Sequence, residues 1–319
     1  MLKLIQNEWV KIFKQISTFI MIGLFVLLII ASGALVKYLE SKEEPQANND
    51  WKQELAAANE QSKRDLEEIP MITPTMKEFL MKDIAINEYR IEHDLPPETS
   101  SNVWTFISDS GSMIGTVGLI VIIIAAGIVA NEFSWGTVKI LLVKPYKRWK
   151  ILLAKYMTVI LFLLLMLGVL FVSSSIVGAI LFGTGGDGSN IHLAYNNGVV
   201  EEQSLLFYLI KTYLLNSLSV FLLATMAFML SAVFRVSGLA IGVSIFLLLM
   251  GGTVTNLLAS KFEWAKYSLF ANTNLMQYFD GIPMIEGMTL SFSITMIFIY
   301  FAIFHLLAFL FFTKRDVAA

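Results

Sequence analysis

The chain contains no cysteine. Disulfides and thiolate metal sites are excluded, and the redox state of its compartment leaves no mark on it. Histidine is scarce, with His93, His192 and His305 the complete set. None has a second histidine or a carboxylate three or four residues away on an apolar helix; Glu92 and Asp94 adjoin His93, but inside an acidic stretch. Such isolated imidazoles do not build a metal or catalytic site. No Gly-x-x-x-x-Gly-Lys-Ser/Thr run is present, so a phosphate loop for ATP hydrolysis is absent as well. The glycine-rich GTGGDGS at residues 183–189 lacks that spacing and reads as a flexible turn. Charge is also short, at 15% of 319 residues, against about 25% in soluble domains.

What replaces the missing charge is apolar surface. The chain is 56% hydrophobic, with a mean hydropathy of +0.69. Six apolar runs, uncharged but for Lys155 in the third and Lys211 near the start of the fourth, reach the roughly 20 residues that cross a bilayer: Ser17–Val36, Gly111–Ala130, Ile151–Phe182, Leu205–Phe234, Gly238–Leu258 and Leu290–Phe312. The expected fold is an all-α polytopic membrane protein with six transmembrane helices. Six spans put both termini on one side, with residues 313–319 as a short tail.

Lysine and arginine choose that side. With the termini in the cytoplasm, the inner segments hold Lys3, Lys11, Lys14, Lys139, Lys144, Lys147, Arg148, Lys150, Lys155, Arg235, Lys314 and Arg315. The short outer loops hold only Lys261 and Lys266, with Lys211 at a span edge. The expected location is the plasma membrane of a bacterium. Residues 1–16 place Leu2, Ile5, Trp9, Ile12, Phe13 and Ile16 at 3–4 spacing, which makes one helix face. The expectation is an amphipathic interfacial helix followed by a retained anchor rather than a cleaved signal peptide, because the apolar run continues to Val36.

Residues 37–110 form the one large hydrophilic block. Between Lys37 and Asp109 it has sixteen acids against eight bases. Apolar positions at helical spacing on both sides of Thr73–Pro74 predict an extracytoplasmic helical hairpin between spans one and two. Residues 183–204 are expected to be an outer loop. Residues 259–289 are aromatic but too broken to span, so they lie at the outer interface or re-enter the membrane.

The span interiors are nearly empty of ionisable groups: His305 lies within one, and Lys211 is placed to snorkel outward. Ion-coupled carriers usually keep acids or histidines there. Small and hydroxyl residues such as Ser173, Asn216, Thr225 and Thr255 read instead as helix-to-helix glue, with Gly111-x-x-x-Gly115 and Gly238-x-x-x-Gly242 as close-approach sites and Gly251–Gly252 as a hinge.

Residues 131–155 stand apart, with six Lys/Arg against the single acid Glu132. Trp135 and Trp149 suit the headgroup layer, and Thr137–Val143 predicts a short helix stopped by Pro145. The pattern Glu132-x-x-x-Gly136-Thr137, an apolar run, Pro145-x-x-Arg148 and then Lys155 resembles the type-two export permeases of ATP-binding-cassette transporters. Lys144 and Tyr146 depart from the smaller residues common beside that proline. The resemblance implies that residues 131–150 are a coupling loop docking on a separate ATPase subunit. Glu132, Gly136, Thr137, Leu141, Leu142, Pro145, Arg148 and Lys150 would form that interface. It implies no catalysis and no cofactor on this chain, with ATP and Mg held by the ATPase, and a second permease chain, identical or related, to complete the pore. Membrane lipid is an expected partner and nucleic acid is not. Two other readings stay open: a non-transporting sensor or scaffold whose outer hairpin binds a ligand, and an ion-coupled carrier.

Overall fold

The computed structural model describes residues 1–42, 50–68, 74–97, 101–137, 146–183, 191–196, 198–234, 236–279, 283–285 and 287–314. It is nearly all helix: α1 (Leu2–Phe13), α2 (Ile16–Glu40), α3 (Trp51–Glu68), α4 (Pro74–Glu92), α5 (Val103–Ser110), α6 (Ile114–Ser134), α7 (Arg148–Phe182), α8 (Leu205–Phe234), α9 (Ser237–Ala259), α10 (Leu269–Asn272) and α11 (Leu290–Lys314). Among the described residues, six helical segments are long and apolar enough to cross a bilayer: α2, α5 running into α6, α7, α8, α9 and α11.

The second span begins eight residues earlier than the apolar run suggests. Asn102 caps α5, its side chain accepting from the backbone N–H groups of Trp104 and Thr105 while the Thr105 hydroxyl accepts from the Asn102 N–H. This reciprocal capping fixes the start at Val103. A single 3₁₀ turn, Gly111–Met113, then joins α5 to α6.

Within the bundle α6 is central and packs against α7, α8 and α9. Two thirds of the apolar window spanning α5–α6 is buried, against 17% for α2 and α11. Ser231 of α8 accepts from the backbone N–H groups of Val129 and Ala130, and Tyr156 of α7 pairs with Thr225 of α8 at 3.0 Å. Of the hydroxyl residues expected to act as glue, Thr225 joins two spans in this way, whereas Ser174, Ser175, Ser217 and Ser219 bond carbonyls of their own helices. Among the expected glycine contacts, a Cβ at Gly111 would lie 3.6 Å from Tyr213 of α8, an ordinary contact, and the others fall elsewhere. Gly115, Gly238 and Gly242 face open space, whereas a Cβ at Gly251 would overlap the ring of Phe270. Gly251 lies inside the unbroken helix α9, where the missing side chain lets Phe270 pack closely.

Two sets of elements gather at the end away from the termini. Helices α3 and α4 pair through Asn59 and Asn87 at 2.9 Å and Lys63 and Glu88 at 3.0 Å. They meet a two-stranded antiparallel sheet, β1 (Ile191–Asn196) and β2 (Val199–Ser204), with Tyr89 donating to Glu202. The helical fold class holds, and the loop expected at 183–204 is corrected to the extent that it carries this hairpin. The register pairs Asn196 with Val199, and Gly198 has a φ of +90°. Asn-Gly followed by Val-Val is a hairpin sequence.

Residues 263–279 fold into two 3₁₀ turns flanking α10 (Glu263–Tyr267 and Leu275–Tyr278). Asn272 is fully buried. Its Nδ2 donates to the carbonyls of Lys266 and Ser268, both at 2.7 Å, and its Oδ1 accepts from Ser293 of α11. Gln277 likewise donates to Ala271 and accepts from the Met284 N–H. Side-chain amides thus satisfy backbone that lacks regular partners, as irregular structure at an apolar boundary requires.

Candidate functional site

Helix α1 carries an acid on its apolar face. Glu8 falls three residues after Ile5 and four before Ile12, so the period that buries Ile12 buries Glu8 with it. Glu8 is 5% exposed. Across the interface stands α7, where Lys155 lies two turns into the helix and is fully buried. The Lys155 ammonium sits 2.7 Å from Glu8 Oε2, 2.8 Å from Glu132 Oε1 and 3.0 Å from the carbonyl of Ile128 in α6. Its three protons match these three acceptors. Lys11 closes the cluster, 2.7 Å from Glu8 Oε1 and 2.7 Å from Glu132 Oε1.

Two carboxylates and two ammonium groups therefore form a neutral square joining α1, the end of α6 and the start of α7. Burying an ion costs several kcal/mol, and only close pairing with complete hydrogen bonding recovers it. Burial opposes ionisation of Glu8, but the Lys155 charge and the hydrogen bonds from Lys11 and Lys155 together hold its carboxyl below the ordinary value. Burial likewise opposes the charge on Lys11, yet hydrogen bonds to Glu132 and Glu8 hold its ammonium above the ordinary value.

The cluster corrects one reading outright. The span interiors are not empty apart from His305, because Lys155 is an enclosed charge inside α7. His305 packs edge-on against the neighbouring Tyr156 ring at 4.5 Å and holds the Phe301 carbonyl through Nδ1. The sequence does mark Glu8 and Lys155: each is a lone charge on an otherwise apolar face or run.

The predicted interface residues divide. Glu132 is turned inward, 9% exposed and bonded to Lys11 and Lys155, rather than offered to a partner. Gly136 ends the α6 turn with φ +69° in open space, and the exposed Thr137 hydroxyl donates to the Glu132 carbonyl at 3.4 Å. Arg148 reaches the Thr313 carbonyl at the end of α11, and Lys150 lies over the Trp149 ring. Leu141, Leu142 and Pro145 lie outside the described residues. One end of the bundle thus collects α1, the end of α6, the start of α7 and the end of α11.

A cleft of about 440 Å³ opens beside the cluster, bounded by α1, α2, α6 and α9. Along α6 its lining runs from Trp135, Glu132 and Asn131 to Ile128, Ile124 and Ile123, with Lys11 and Lys14 of the α1 end, Met21 of α2 and Ile241 of α9 on the other walls. A second cavity of about 460 Å³ lies at the opposite end, between α3–α4, α5 and β1.

Comparison with known sequences places this architecture. Residues 71–318 match the profile of a family described as "Protein of unknown function (DUF2705)". The chain belongs to the DUF2705 family. A Bacillus subtilis (strain 168) relative described as "Uncharacterized protein YhcI" is 50% identical over 319 residues, covering the whole of both chains. Another from the same organism, "Uncharacterized membrane protein YdbK", is 30% identical over 222 residues, covering 69% of this chain and 85% of that one. With its six apolar helices, this DUF2705 member is a multi-pass membrane protein. The resemblance to type-two export permeases is corrected: the family is DUF2705, and neither it nor these relatives points to that permease family. A physical reason accompanies the correction. Two of the motif's charged positions, Glu132 and Lys155, are accounted for by bonding to each other inside the chain.

Proposed function

We propose that this chain is the membrane-spanning permease subunit of an exporter, driven at its basic end by a separate ATPase subunit that holds the nucleotide and magnesium. The excess of lysine and arginine puts that end, with both termini, in the bacterial cytoplasm. Helix α1 then lies along the inner leaflet and the α3–α4 pair projects outside. A second copy or a related chain completes the substrate path.

One observation carries the reading. The connection between α6 and α7 is clamped at both ends by the same ion cluster, through Glu132 on one side and Lys155 on the other. Helix α6 is also the central span. A force applied to that connection would pass into the middle of the bundle and into α1 together. That is what a rigid-body switch between two packings needs.

The test is copurification in mild detergent with an ATPase, paired with export from cells or vesicles. A charge at Leu141 (Leu141→Asp) should leave insertion intact and uncouple ATP hydrolysis from export. Export by a chain that binds no ATPase, or unaltered coupling in the variant, overturns the proposal.

A second reading, an outward-facing sensor, is favoured by the cavity at the other end. Arg90, Asp109, Asn87 and His192 line it beside Leu55, Ile86 and Leu193. Replacing residues 50–97 with a short linker separates the two. A sensor loses its response, while Leu141→Asp leaves it intact.

A further inference from the structure

We propose that the cleft between α1, α2, α6 and α9 is a seat for one anionic phospholipid of the inner leaflet. Its headgroup phosphate lies on Lys14, and one acyl chain runs down the isoleucine floor. Nothing in this assignment depends on transport; it needs only that the end holding the termini faces the inner membrane surface.

The dimensions fit first. The cleft follows α6 from Trp135 at its mouth to Ile123 at its floor, twelve residues or about 18 Å at the helical rise. Half of a bilayer's hydrocarbon core is about 15 Å. The cleft is therefore one leaflet deep and ends where an acyl chain would end. Its lining changes at the right level, with isoleucines and Met21 below and Lys14, Gln15, Asn131 and Trp135 above. Trp135 is 65% exposed, and exposed tryptophan suits the headgroup layer.

Charge then selects the headgroup. Glu8 and Glu132 also line the mouth, but Lys11 and Lys155 neutralise both. Lys14 is left over. It ends α1, exposed, with no ion pair among the described residues. A net positive mouth over an apolar slot selects a phosphate joined to a chain, and lysine near an anionic surface contributes to such binding. A zwitterionic lipid offers the same chain without the net negative charge.

The experiment uses the full chain in nanodiscs mixing phosphatidylglycerol and phosphatidylcholine, read by native mass spectrometry after gentle delipidation. One phosphatidylglycerol per chain should be retained. Lys14→Gln should lower that retention about fivefold. Ile241→Trp, which fills the floor and keeps every charge, should abolish it. Added phosphatidylglycerol should raise the melting temperature of the unmodified protein above that in phosphatidylcholine alone, a measurement that needs no variant. Equal retention of the two lipids, or unaltered retention in both variants, overturns the assignment. Displacement by millimolar inorganic phosphate makes it a headgroup site only and also overturns it. So does a disulfide between two copies through Ile241→Cys, the sole cysteine such a chain would have, because the cleft would then belong to a second protomer.

Discussion

Lys155 of α7 donates to Glu8 of α1 across 2.7 Å, although 147 residues separate them in the chain. The contact turns the amino-terminal helix from a surface appendage into part of the bundle. Glu132 brings in the end of α6, so three elements share one set of charges. An interaction of this kind is stiff and intolerant. It stabilises while complete, and it leaves an uncompensated buried charge when one member is lost.

Replacing Lys155 with methionine should therefore be severe. The expected loss is about 3–5 kcal/mol, read as a large drop in apparent melting temperature in detergent. Adding Glu8→Leu should recover much of it, since the Lys11–Glu132 pair remains balanced. Lys11→Met should cost less, because that side chain is 44% exposed and solvent screens it. Equal effects of the two lysine substitutions would disprove the enclosed cluster.

Acidity should release α1. The Glu8 carboxyl is held below its ordinary value of 4.5, so its contribution is complete above that value and is lost as pH falls through the lower, folded one. The Lys11 ammonium is held above its ordinary value of 10.5. Its contribution is complete below that value and is lost as pH rises through the higher, folded one. Attachment of α1, followed by Trp9 fluorescence or by proteolysis within residues 1–16, should be flat between about pH 5 and pH 10. It should weaken on both sides of that window. A midpoint near neutrality would contradict the assignment.

Gly251 should not accept a side chain. Its Cβ would overlap the Phe270 ring, and overpacking of this sort costs about 1–3 kcal/mol. Gly251→Ala should lower stability, and Phe270→Ala in the same chain should reverse part of the loss. If Gly251 were a hinge instead, the second substitution would bring no recovery.

Asn272 should be specific as an amide. Asn272→Leu removes partners from Lys266, Ser268 and Ser293 together, and each stranded buried group costs about 1–3 kcal/mol. Asn272→Asp should not rescue it, because a carboxylate cannot donate to two carbonyls. Both variants should open residues 259–289 to limited proteolysis while the six spans stay inserted.

The six spans were legible because length and hydropathy alone define a segment that crosses lipid. Their glycine contacts were not. Gly238 and Gly242 have the close-approach spacing yet face open space, while Gly251, read as a hinge, meets Phe270. Spacing reports which positions share a face, and only the neighbouring helix decides what that face touches. The β1–β2 pair was hidden for another reason. Its Asn-Gly turn sits beside a glycine-rich run that masks the alternation of two short strands.

By itself, the sequence determined six segments long and apolar enough to cross a membrane, and its charge bias favours one orientation. Hydropathy and lysine bias are properties of single segments against lipid and water, and need no knowledge of neighbours. Only the tertiary structure decided that Glu132 faces inward and that Lys155 is enclosed with Glu8. It likewise decided that a one-leaflet cleft opens beside them. Each of these depends on which helices meet, and a buried charge is tolerated only where distant parts of the chain converge to satisfy it.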